Sequence, residues 1–122
     1  MDCEDTITYL DLLKQDRIVL VDKNTQRLIS EGFTFDNEVF SLSQSAQLNW
    51  LCIKVLSMGI TWPLEITTKN DTDYLLEESD LDSFIYSAQI VIQGHIQTGR
   101  DIKQQILAAV DETELNSIED NR

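Results

Sequence analysis

From Asp80 onward the apolar residues of this chain recur in alternating steps of four and three. Leu81, Ile85, Ala88 and Ile92 begin the series, His95 and Gly99 occupy the next two positions, and Ile102, Ile106 and Ala109 complete it. That spacing predicts a long helix with a packing seam along one side. Phe84, Val91, Ile96 and Val110 widen the stripe beyond what one helix contact buries, so part of it is expected to face another molecule. Gly94 and Gly99 each weaken a helix by about 1 kcal/mol relative to Ala, which makes Gly99 a candidate kink. Asp111 and Glu114 stand at the spacing of a capping box and predict a short final helix.

The first 31 residues contain neither Gly nor Pro. Ile7, Leu10, Val21 and Leu28 fall on a heptad grid whose remaining seam positions are Lys14, Arg17 and Asn24, a half-polar helical pattern. The β-branched run Ile18-Val19-Leu20-Val21 also fits a strand, so the segment is one helix or a helix plus a strand. The helical reading fits better, with Gly32 as its C-terminal stop. Two hairpins are predicted beyond it. Asp36-Asn37 tolerates a tight turn and would set Phe33 across from Phe40. Lys69-Asn70-Asp71 turns a second pair in which Leu64 and Ile66 oppose Leu76 and Tyr74, with Pro63 at the strand entrance. Between the hairpins, Ser41 and Gln44 read as a capping box. They would open a helix whose Ala46, Leu48, Trp50, Leu51, Cys52, Ile53, Val55 and Leu56 surround its circumference, the pattern of a helix buried on several sides and ended by Gly59.

The expected fold is α+β: a mostly helical single domain, with two short hairpins packed on a buried helix and a long C-terminal helix. Residues 1–24 are read as an N-terminal helical arm that contacts a partner, and 25–122 as the compact domain. At 122 residues the chain can bury a core without disulfides or metals.

Charge narrows the function. Nine Lys and Arg against twenty-two Asp and Glu give a formal net charge of −13, which disfavours binding to nucleic-acid phosphates or anionic lipid. No run approaches the length of a membrane span, and the acidic start MDCEDTITYL is unlike a secretory signal. A soluble protein is expected. Cys3 and Cys52 have no metal-ligand spacing, and Cys52, inside an apolar run, is expected to be a buried thiol in a reducing cytoplasm.

The candidate chemistry is sparse. His95 is the only histidine, and no adjacent nucleophile or carboxylate marks it as catalytic. The acids Asp71, Asp73, Glu77, Glu78, Asp80 and Asp82 suggest a cation site. They lack the Gly and the distal Glu of a calcium loop, and read more simply as turn and helix-start residues. The serines of SLSQSAQ have no nucleophile elbow around them, and the four glycines are isolated. Trp50 is assigned to the core; Trp62 is the better candidate for a surface aromatic that stacks on sugar. No catalytic, cofactor or metal residue is assigned, and the chain is read as a non-enzyme.

The order of residues resembles a known family. Arg27-Leu28-Ile29, Gly32-Phe33-Thr34-Phe35, Phe40, Ser45-Ala46-Gln47-Leu48-Asn49-Trp50, the Pro-Leu-Glu-Ile-Thr-Thr-Lys-Asn-Asp hairpin and the Ile/Ala-rich last helix follow the pattern of an uncharacterised small domain. That domain occurs in tail-fibre and related virion proteins of tailed bacteriophages and prophages. The resemblance spans about residues 25–120, a typical domain length. It departs at the first turn, often Asn-Gly in the family and Asp36-Asn37 here. It implies a virion structural protein of the tail fibre, baseplate or neck, made in the bacterial cytoplasm and located in the particle. Its implied partners are other tail proteins and copies of itself, a trimer by analogy with fibres. The residues assigned to such contacts are Ile7, Leu10, Leu81, Ile85, Ile92, Ile102 and Ile106. Two other roles fit the sequence: a tail assembly chaperone, and an acidic DNA mimic that inhibits a host enzyme.

Overall fold

A computed structural model describes residues 8–122. Their order is α1 (Tyr9–Ser30), β1 (Phe33–Phe35), β2 (Glu38–Phe40), α2 (Gln44–Val55), β3 (Leu64–Thr67), β4 (Asp73–Leu76), α3 (Leu81–Ala108) and α4 (Glu112–Ser117). Single turns of 3-10 helix follow α2 and precede α3. The fold is α+β, as the sequence pattern predicts. Contacts divide the chain into two units, residues 28–94 and residues 1–27 with 95–122, and the division falls within α1 and α3.

In the unit of residues 28–94, Gly32 ends α1 with φ +98°, and a Cβ there would lie 2.1 Å from the Phe40 carbonyl oxygen. Only glycine satisfies both the left-handed backbone and the close approach. The Lys69 ammonium adds a hydrogen bond to the Glu31 carbonyl at 2.9 Å. Asp36 and Asn37 both have positive φ, the geometry of a type I′ turn whose twist suits a two-residue hairpin. The turn fixes the register Phe33↔Phe40, and the second hairpin pairs Leu64↔Leu76 and Ile66↔Tyr74, both as predicted. The Lys69 amide donates to the Val39 carbonyl at 2.8 Å, tying one hairpin to the other.

Phe84 of α3 is the centre of this core. It is fully buried, and its ring meets Phe33, Phe40 and Trp50 at 5.0 Å and Phe35 at 5.3 Å, each edge to face. Such packing directs the positive ring edge at a negative face and adds to the area term. Leu42 and Leu76 are also fully enclosed.

In the other unit, Val21, Ile106, Ala109 and Leu115 form a buried cluster, joined by Leu10, Leu13, Ile18, Ile102 and Ile118. The Ile18–Val21 run is helical. The half-polar seam of α1 faces inward, and its polar members bond to carbonyls. Lys14 donates to Leu107 at 3.0 Å, Arg17 to Leu115 and Ile118 at 3.4 and 3.3 Å, and Asn24 to Arg122 at 3.4 Å. These carbonyls lie at or beyond the ends of α3 and α4, where helical partners run out. Asp111 caps α4 by accepting from the Glu114 amide at 2.7 Å, and the Glu114 carboxylate accepts in return from Val110 at 3.3 Å.

Candidate functional site

The residue α2 needs at its start is Ser43 rather than Ser41. The Ser43 hydroxyl accepts from the Ala46 amide at 3.2 Å, while the Ser41 hydroxyl accepts from Ser43. The frame set by this cap puts Ala46, Trp50 and Ile53 on one side, since successive residues turn by about 100°. Trp50 and Ile53 are the buried residues of α2. Leu48, Leu51, Cys52 and Val55 project from the opposite side.

That opposite side is bare. Leu48, Leu51, Val55 and Leu56 are 62, 59, 72 and 62% exposed, and Cys52 and Met58 are exposed beside them. The expectation of a helix buried on several sides is therefore corrected, as is that of a buried Cys52 thiol. An all-round apolar pattern shows that every face avoids charge; it does not show which face the chain itself covers. Lys54, the one charged residue between Val39 and Leu64, pairs with Asp82 on α3. A strip of about 12 Å, for the eight helical residues from Leu48 to Val55 at 1.5 Å each, thus presents aliphatic side chains and a thiol in a strongly acidic protein.

The residues assigned to partner contacts stand elsewhere. Leu81, Ile92 and Ile106 are only 4, 7 and 2% exposed, and Leu10, Ile85 and Ile102 are half-buried. Their own chain covers them: Ile106, with Leu10 and Ile102 around it, belongs to the Val21 cluster, and Leu81 and Ile92 belong to the buried core. Leu81, Ile92 and Ile106 are core residues, and the assignment of a partner surface to those three is corrected, while Leu10, Ile85 and Ile102 keep part of their surface open. Ile7 and Cys3 lie outside the described residues. Exposed apolar residues on α3 are instead Tyr86, Ile90 and Leu107.

The remaining candidates have the following surroundings. His95 is half-buried, and its carbonyl accepts from Arg122 at 2.9 Å. Asp71 holds a left-handed turn position, and among the described residues no three His, Cys, Asp or Glu side chains gather to hold a metal ion. Trp62 is half-buried, with its indole N–H on the Ser57 carbonyl at 3.2 Å.

Two titrations are displaced. Tyr74, whose hydroxyl donates to Asp36 at 3.0 Å, is pushed up to about 12, first by burial and then by that bond and the surrounding acids. Asp120 is held down at about 2, chiefly by its hydrogen bonds from Arg122, against the opposing effect of burial. Arg122 spans both Asp120 oxygens, at 2.8 and 2.9 Å, and also donates to Thr25 Oγ1 at 2.8 Å.

The surface residues missed from sequence, Leu48, Leu51, Cys52, Val55 and Met58, carried one usable signal. Their i, i+3, i+4, i+7 spacing repeats that of a core stripe on the face opposite Trp50 and Ile53. Compared with known proteins, the chain matches no family model, no curated protein and no solved structure.

Proposed function

We propose that this chain is a non-enzymatic structural subunit of a bacteriophage particle, in the tail fibre, baseplate or neck, and that it works by packing its bare α2 face against another copy. The phage assignment rests on the resemblance in residue order described above for about residues 25–120. The packing mechanism rests on Leu48, Leu51, Cys52 and Val55, an aliphatic strip that the chain leaves uncovered. Contiguous apolar surface of this kind marks association sites.

The strip reads alike in both directions. In an antiparallel pair of α2 helices, Leu48 meets Val55 and Leu51 meets Cys52, so the same patch serves both partners. That symmetry supports a twofold dimer over the fibre-like trimer. The absence of charge matters as much, because two bodies of −13 approach at least electrostatic cost through an uncharged face.

Light scattering of the purified protein, oxidative cross-linking through Cys52 and mass spectrometry of purified particles test the proposal together. A dimer that cross-links at Cys52, is lost in Leu51→Glu, and is present in the particle is the expected result. A monomer at high concentration, or absence from the particle, overturns it.

A further inference from the structure

Within the unit of residues 1–27 and 95–122, α1 borders an open groove of about 800 Å3. This volume lies within the ~300–1,000 Å3 span of small-molecule sites. Its floor is apolar, made by Ile102, Ile106 and Ile118, and its α1 side carries Arg17, Lys23 and Arg27. Three of the chain's nine cations thus line one concavity in a protein of net charge −13. The acids at its edge are Glu119 and Asp120, and the second is already bonded to Arg122.

We propose that this groove binds an amphipathic anion, a free molecule with a carboxylate or phosphate head on an aliphatic body. The isoleucine floor takes the body, since burial of apolar surface supplies most of the attraction. Lys23 takes the head. Its ammonium makes no hydrogen bond or ion pair with a described residue and offers three donors. Arg17 is engaged by the Leu115 and Ile118 carbonyls and Asn116, and Arg27 by Asn24 and the Arg122 carbonyl, so these two supply positive field. A cationic amphiphile with the same tail meets that field with the wrong sign. A small anion without a tail has no hold on the floor.

The test is a titration of isotopically labelled protein with dodecanoate below its micelle concentration, followed by amide chemical shifts. Dodecyltrimethylammonium, acetate and phosphatidylglycerol vesicles form the comparison arms. Saturable shifts in residues 17–27 and 102–118 with dodecanoate alone are expected. Lys23→Glu and Leu20→Gln, both at exposed positions on α1, should weaken binding about fivefold or more. Leu51→Glu, on the separate α2 face, should leave it unchanged. Equal binding of the cationic amphiphile, no saturable binding, or binding lost in Leu51→Glu and kept in Lys23→Glu overturns the proposal. Binding to vesicles without a response to free dodecanoate overturns it as well, by assigning the charge to a lipid surface.

Discussion

A methyl group at Gly99 would lie 2.6 Å from the Thr25 hydroxyl oxygen, which is held between the Val21 carbonyl and the Arg122 guanidinium. Gly99→Ala should therefore destabilise by about 1–3 kcal/mol through overpacking. Gly94→Ala, with nothing within 4 Å of the new atom, should stabilise by about 1 kcal/mol through helix propensity. Urea unfolding of the two variants reads the opposite signs. Titration gives a second pair of expectations. Asp120 falls from its ordinary 3.8 to about 2 in the folded state, so its contribution is present above 3.8 and is lost as pH falls through about 2. Tyr74 rises from 10.0 to about 12, so its contribution is present below 10 and is lost as pH climbs through 12. Melting temperatures of Asp120→Asn and Tyr74→Phe across pH should flatten the acid and alkaline limbs respectively. The Asp111 cap was legible because both partners stand within one turn. The Arg122–Thr25 bond joins residues 97 positions apart, and no local pattern encodes such a pair.

At the level of elements, hairpins were the most legible part of the chain and α2 the least. A two-residue turn of Asp and Asn fixes both strands at once, because a slip of one residue would turn Phe33 and Phe40 out of the core. The four-and-three series likewise falls on a mostly inward stripe, with Leu81, Ala88, Ile92, Ile106 and Ala109 buried and Ile85, His95 and Ile102 half-buried. For α2 the cap was displaced by two residues, from Ser41 to Ser43. Its two apolar faces compete equally for the interior until the rings around Phe84 choose Trp50. Phe84→Ala, which removes the ring touched by four others, should cost about 3–5 kcal/mol. Leu51→Glu, on the uncovered face, should leave the unfolding free energy of the separated monomer within about 0.5 kcal/mol of the parent. Chemical denaturation at low protein concentration distinguishes the two. Equal losses would mean that α2 is covered on both sides.

For the molecule as a whole, the surplus of acids works against self-association and the bare face works for it. Raising ionic strength from about 0.01 to 0.15 M shortens the screening length from ~30 to ~8 Å. The dissociation constant of the proposed dimer should therefore fall over that range, as measured by sedimentation equilibrium. A pair held by ion pairs would weaken instead. Neither the bare α2 face nor the groove was legible from the sequence, because each depends on what the folded chain leaves uncovered. The scarcity of charge around α2 also decides how the protein is seen. Between Arg27 and Lys69 trypsin meets a single cleavage point, Lys54, and that side chain lies on a helix paired with Asp82. Digestion there releases the aromatic hairpin and its helix as long, greasy peptides that ionise poorly. A protease that cuts beside acids does no better, because no acid stands between Glu38 and Glu65. One that cuts after aromatic and leucine side chains would yield short peptides from this region.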